Sequence, residues 1–233
     1  MKMRSILISA FILFAFFGLY AQDESNAETL PPLTAKEALK EISVSKMEDA
    51  GFWRGGISSD FGLLQLRDFE GGSKDKELIS AEEQSGITEA DDKVIGVKVS
   101  FFRRGVTEFA IKPIRPLPIE GITKTVSIWV VGRNIEHELS LLILDSRGQR
   151  SIIPMGKLNH SGWRKMTVTI PPQIEQRDYH YGYKAGISIE GFVVNCDIDE
   201  TYGRYYIYFD DLRAVTDLFD EEFLDTDDML DAW

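Results

Sequence analysis

The chain has one cysteine, Cys196, and three histidines in 233 residues. A lone thiol excludes an internal disulfide, so the chain must stand on its own apolar core. In "VVNCDI" Cys196 reads as a small buried residue of a strand rather than a reactive thiol. His137, His160 and His180 fall at separate turns or strand ends and are expected at the surface. They have no HxxxH or HExxH spacing, and zinc asks for clustered His and Cys. No nucleophile elbow, P-loop or dinucleotide fingerprint is present. Positive charge is also scarce. Lys and Arg number 26 against 38 Asp and Glu, for a net charge of −12 and a pI near 4.8. That balance excludes a nucleic-acid binder, which needs cationic stripes for phosphates, and argues against adhesion to anionic lipid. No metal cofactor or catalytic constellation emerges, and the chain reads as a non-enzyme.

One apolar run is present, from Ile6 to Leu19, behind Lys2 and Arg4 and ahead of Tyr20-Ala21. Its 14 residues fall short of the roughly 20 that span a bilayer. Basic start, short apolar stretch and small residue at the cut make residues 1–21 a secretory signal peptide. Cleavage after Ala21 removes Lys2 and Arg4 and takes the net charge from −12 to −14. No cysteine lies near the cut, so no bacterial lipid anchor is expected.

Residues 22–50 read as a polar lead followed by a helix. Thr34 and Glu37 form a capping box, Ala38, Leu39 and Ile42 give a modest apolar side, and Gly51 is the stop. Residues 71–93 are polar and read as a long surface connection. Beyond them period-two alternation dominates. "VIGVKVSFF" sets Ile95, Val97, Val99 and Phe101 to one side. "TVSIWVV" does so with Val126, Ile128 and Val130, and "ELSLLIL" with Leu139, Leu141 and Ile143. "RKMTVTI" does so with Met166, Val168 and Ile170. "GISIEGFVV" and "RYYIYFDDL" add two further strands. Alternation marks strands with one buried face. The turns "VGRN", "DSRGQ", "NHSG" and "QRDYHYG" separate them at short intervals. Many short strands without helical patterns between them imply an all-β antiparallel sandwich of jelly-roll type over residues 51–216.

Two features carry candidate chemistry. Asp210 and Asp211 are neighbours, so on a regular strand they point to opposite faces and share no substrate, where the strand end enters solvent. Asp210 with Glu70 of "DFEGG" is a candidate calcium pair tying the first strand to the last. Phe102, Trp129, Tyr206 and Tyr208 fall on the side away from the core, where aromatics stack on sugars, anchor a protein interface or lie under covering loops. Tyr179, Tyr181 and Tyr183 add a loop cluster, and "NHS" at 159–161 matches a glycosylation sequon. From Asp217 an arm begins that holds eight acids in seventeen residues, with no Lys or Arg after Arg213. Such density suits a solvated end, yet Phe219, Phe223 and Trp233 interrupt it. They are interface candidates for a basic partner surface.

The order "DFEGG", "VSIWVVG", "LSLLILDSRGQ", "IPMGKLNHSGWRKMTVTIPP", "GISIEGFVV", "RYYIYFDDLRAVTD" resembles the spirochaete flagellar filament outer-layer (sheath) protein family over roughly residues 50–217. Its core is also similar to galactose-binding-like jelly rolls and carbohydrate-binding modules. The resemblance implies export to the periplasm and a non-catalytic role coating a flagellin core beside other sheath proteins. It further implies an effect on filament curvature and stiffness in motility. The alternative is a secreted carbohydrate-binding module with a glycan partner.

Overall fold

A computed structural model describes residues 39–217, apart from 80–81, 84–85, 87–89 and 179–183. The signal peptide, the helix start at 34–38, His180, the three loop tyrosines and the arm from 218 lie outside the described residues. The architecture is all-β, two antiparallel sheets face to face, with two single 3-10 turns at Ala50–Phe52 and Ile198–Glu200.

Thirteen strands occur among the described residues: β1 (Leu39–Ser45), β2 (Trp53–Ile57), β3 (Gly62–Glu70), β4 (Lys93–Phe101), β5 (Thr107–Pro113), β6 (Leu117–Glu120), β7 (Ile122–Val131), β8 (Glu138–Leu144), β9 (Arg150–Lys157), β10 (Trp163–Thr169), β11 (Arg177–Asp178), β12 (Lys184–Cys196) and β13 (Arg204–Asp217). The first sheet runs β10-β7-β13-β4-β3, with β1 also paired to β13. The second runs β2-β5-β12-β8-β9, with β6 and β11 also paired to β12.

The alternating residues meet in the middle. Ile95, Val97 and Val99 of β4, Val126, Ile128 and Val130 of β7, and Ile207 and Phe209 of β13 are buried from the first sheet. Phe109, Ile111, Leu139, Leu141, Ile143, Ile189, Phe192 and Val194 face them from the second. Phe192 stacks on Phe209 at 5.9 Å and on Trp53 at 6.4 Å, joining the layers. Each such side chain contributes about 1.5–3 kcal/mol of burial.

Both long strands break their alternation once. The β8–β12 register shifts between Ile189 and Gly191, so the inward set passes from Ile187 and Ile189 to Phe192 and Val194. Gly191 has φ 136°, and an added Cβ would meet the Ile111 carbonyl oxygen. The β7–β13 register shifts between Asp210 and Arg213, with Asp211 at φ 48°. The extra residue moves the inward set from Tyr205, Ile207 and Phe209 to Leu212 and Ala214. β13 therefore does not end at Leu212 in solvent; it continues buried to Thr216.

Two expectations are overturned. A helix over 34–50 is not what forms where the chain is described: Leu39–Ser45 is strand β1 along β13. Ile42 and Val44 pack against the core in period two, and backbone pairing overrides the helix-forming Lys and Glu around them. His137 is not at the surface but fully buried. Its Nδ1 accepts the Asp197 N–H at 3.0 Å, and its ring meets Tyr205 edge-on at 4.8 Å. Burial drives its pKa down to about 4, against the pull of Asp197. His160 is half-buried, with Nε2 3.2 Å from the Val130 carbonyl. Cys196 is buried as expected, and burial pushes its thiol up to about 12, with Glu108 adding to the shift.

Candidate functional site

The face of the first sheet turned away from the core carries a basic and aromatic groove. Its geometry follows from register. Arg67 on β3 stands opposite Gly96 on β4, Gly96 opposite Tyr208 on β13, Tyr208 opposite Val131 on β7, and Val131 opposite Trp163 on β10. Residues opposite one another point to the same face, so one row crosses five strands. Gly96 is the gap in that row. A Cβ there would run into the rings of Phe69 and Tyr208, which lie across it edge to face at 5.5 Å.

Three hollows share Tyr208. One of about 270 Å³ is lined by Gln65, Arg67, Phe69, Lys98 and Tyr206. A second of about 860 Å³ reaches Glu70, Val94, Arg133 and Trp163. A third of about 410 Å³ lies beside Arg133, Ile135 and Arg204. Arg133 and Asn134 both take left-handed backbone, with φ 63° and 59°, in the turn after β7. That turn places the Arg133 guanidinium 5.3 Å over the Tyr208 ring, a cation–π contact. Arg67, Lys98, Arg133 and Arg204 thus surround the tyrosines, while Glu70 is the one acid lining these hollows. None of the four cations is drawn into an ion pair among the described residues. On a chain of net charge −12 such a patch is a local inversion of sign.

Tyr206 and Tyr208, expected on this face, do meet here. Tyr206 is 38% exposed and Tyr208 half-buried. Trp129 shares the face but lies further along, opposite Lys165 and Asp210, and is half-buried. Phe102 stands apart at the turn beyond β4, 61% exposed, its N–H donating to the Phe61 carbonyl at 2.8 Å. Phe219, Phe223 and Trp233 lie outside the described residues. The sequence reading passed over Phe69, Arg67, Arg133 and Trp163. The alternation of Gln65, Arg67 and Phe69 in β3 is the signal that finds the first two.

Behind the groove the paired aspartates lie on the bulge, both buried. Asp210 accepts from the Lys76 ammonium at 2.9 Å and from the Ser73 N–H at 3.4 Å. Burial lifts the Asp210 carboxyl to about 6, and Lys76 pulls it back toward the ordinary range. Burial works against the Lys76 charge, but its bonds to Asp91 and Asp210 outweigh that and raise its pKa. Asp211 accepts from Arg213 through Nε at 2.7 Å and through the terminal nitrogen at 2.6 Å, with Lys46 at 3.9 Å. Arg213 also donates to the Glu77 carbonyl at 2.6 Å. The cation beside Asp210 is therefore Lys76. Glu70, the other half of the candidate calcium pair, lies exposed at the end of β3 opposite Lys93. Among the described residues no group of three or more His, Cys, Asp or Glu could hold a metal ion. The cluster fastens the segments around Lys46 and 73–77 onto β13. The groove offers ring faces and fixed positive charge, which is recognition chemistry.

Residues 23–225 match the family described as Flagellar filament outer layer protein Flaa. A flagellar filament outer layer-like protein of Brachyspira hyodysenteriae is 36% identical over 197 residues, covering 84% of this chain and 88% of that protein. The flagellar filament outer layer protein of Spirochaeta aurantia is 26% identical over 161 residues, covering 54% of this chain and 48% of that one. Among solved structures, TmCBM61 in complex with β-1,4-galactotriose aligns over 76% of this chain and 99% of its own, at 12% identity and a TM-score of 0.41. The family 11 carbohydrate-binding module of the Clostridium thermocellum cellulase Lic26A-Cel5E covers 75% and 93%, at 8% identity and a TM-score of 0.36.

Proposed function

Because this chain belongs to the flagellar filament outer layer protein family, we propose that it is a structural subunit of a periplasmic flagellar filament sheath. It is exported behind a signal peptide over residues 1–21 and coats a flagellin core alongside other sheath proteins. Its subunits add to the curvature and stiffness that the filament needs in motility. The observation that carries this reading is the family match over residues 23–225. The fold supports it physically. A two-sheet sandwich is a stiff block, and a coat of such blocks holds through many modest contacts summed by local concentration. No reaction is assigned to the chain.

Deleting the gene and isolating filaments tests the reading. We expect altered sheath composition, curvature and swimming, and co-purification of the chain with flagellins in the wild type. Filaments unchanged in all three respects would overturn it. Mature protein beginning at Gln22 is the expected mark of export.

A second reading, glycan binding, is favoured by Phe69, Tyr206 and Tyr208 lying beside Gln65 and Arg67, since ring faces and polar ends together suit sugars. Calorimetry against cell-wall sugars decides it. Binding abolished by Tyr208→Ala but kept by Trp129→Ala would place the sugar in the groove.

A further inference from the structure

The groove around Tyr208 has a counterpart in the same chain. Residues 218–233, "LFDEEFLDTDDMLDAW", hold seven acids and no base, with Phe219, Phe223 and Trp233 among them. A segment that only solubilises needs no such aromatics. The groove has the complementary character: Arg67, Lys98, Arg133 and Arg204 around Phe69, Tyr208 and Trp163. We propose that it is the docking site for the acidic-aromatic arm, residues 218–233, of a second copy of this chain.

Position distinguishes a second copy from the chain's own arm. Tyr208 and Asp217 lie nine residues apart on one strand, ~30 Å at the rise of a β-strand. The chain thus leaves β13 at the end remote from the groove, heading away from it. An arm of sixteen residues reaches at most ~55 Å, so Trp233 could return to the groove, but Phe219 and Phe223, at most ~7 and ~21 Å of chain beyond Asp217, could not. The way back along β13 is covered, since Ser73 and Lys76 sit on Asp210 between the two points. Charge points the same way: two copies of a net-acidic chain repel, and this groove offers acids from another copy several cations that take part in no ion pair among the described residues. Arm into groove is a contact between two different surfaces. Where the rotation between copies does not close a ring or a pair exchanging arms, such a contact propagates copy after copy, as a linear coat requires.

This inference concerns the protein in solution and stands or falls apart from the sheath reading. Two full-length variants test it. In the arm variant, Asp220→Asn, Glu221→Gln and Glu222→Gln are combined with Phe219→Ala and Phe223→Ala. In the groove variant, the exposed Arg133 and Arg204 become Glu, and thermal melts confirm its fold. A labelled synthetic peptide of residues 218–233 is titrated by anisotropy. We expect it to bind the arm variant, to weaken at least ~10-fold when the groove substitutions are added, and to weaken further with salt. Sedimentation velocity supplies the second readout. Wild type should grow into larger species with concentration and each variant should stay monomeric. An equimolar mixture of the two should stop at heterodimers, one intact arm in one intact groove. Peptide binding that ignores the groove substitutions, or that a shuffled acidic peptide reproduces, overturns the proposal. A wild type that stays monomeric although the peptide binds assigns the arm to its own chain and overturns the second-copy claim. So does a mixture that fails to pair. A groove that takes a sugar and not the peptide overturns it as well.

Discussion

Acidification from about pH 7 to about pH 4.5 should weaken the fold through His137. The native ring is uncharged, with Nδ1 occupied by the Asp197 N–H and Nε2 without a partner among Phe101 and Tyr205. Burial holds its pKa at about 4 against an ordinary 6.5, even with the Glu200 carboxylate 3.9 Å from Nδ1. Between those values the unfolded chain takes up a proton that the folded one refuses. The stability is therefore complete above about 6.5 and is lost as pH falls toward 4. Integrating over that window gives a loss of about 2 kcal/mol at pH 4.5 relative to pH 7. Asp210 acts in the opposite sense. Its folded pKa of about 6 lies above 3.8, so its contribution grows as pH falls through 6. The wild-type curve mixes the two, and His137→Gln separates them. Urea unfolding at several pH values should show the variant weaker at neutral pH yet flatter by about 2 kcal/mol across the window. Equal slopes in wild type and variant would refute the assignment of a buried neutral histidine.

Two further outcomes follow from buried groups. Replacing Asp211 by Gly keeps the left-handed backbone at φ 48° but leaves the buried Arg213 guanidinium only the Glu77 carbonyl and the more distant Glu41 carboxylate at 3.7 Å, and should cost about 3 kcal/mol in chemical denaturation. Asp211→Ala should cost more by adding backbone strain, and a loss below about 1 kcal/mol for either would show the pair is not structural. Cys196 should resist thiol reagents in the native protein, because a shift from 9.0 to about 12 leaves about a thousandfold less thiolate at neutral pH, besides blocking access. Native labelling at the rate seen in denaturant would contradict its burial.

Alternation made β4, β7, β8, β10, β12 and β13 readable because each has one buried face. The side facing out was readable too, which is how Tyr206 and Tyr208 stood out. What escaped depends on partners remote in sequence. Leu39–Ser45 looks helical because Lys40 and Glu41 favour helices, and only the exposed flank of β13 makes it a strand. His137 looks like a turn residue beside Glu136 and Glu138 until Tyr205, sixty-eight residues later, closes over it. The groove escaped for the same reason. Trp163, Val131, Tyr208, Gly96 and Arg67 form a row only after five strands have taken register. The bulge at Asp211 hides in a sequence that offers two carboxylates and no glycine to mark the left-handed residue.

β13 stands at the middle of the first sheet, between β7 and β4, although it comes later in the chain than any other described strand. Until it emerges from the ribosome, β4 and β7 face one another across a missing strand, their backbone groups open along both edges. The second sheet likewise waits for β12, which sits between β5 and β8, so the sandwich cannot close until the chain has been made through residue 217. High separation between contacting residues makes such folding slow and leaves open strand edges exposed meanwhile. Late closure works as a timer: the piece that locks the core is made after every other described strand. It also sets where damage is tolerated. A chain broken before Asp217 loses the keystone of the sheet rather than its margin.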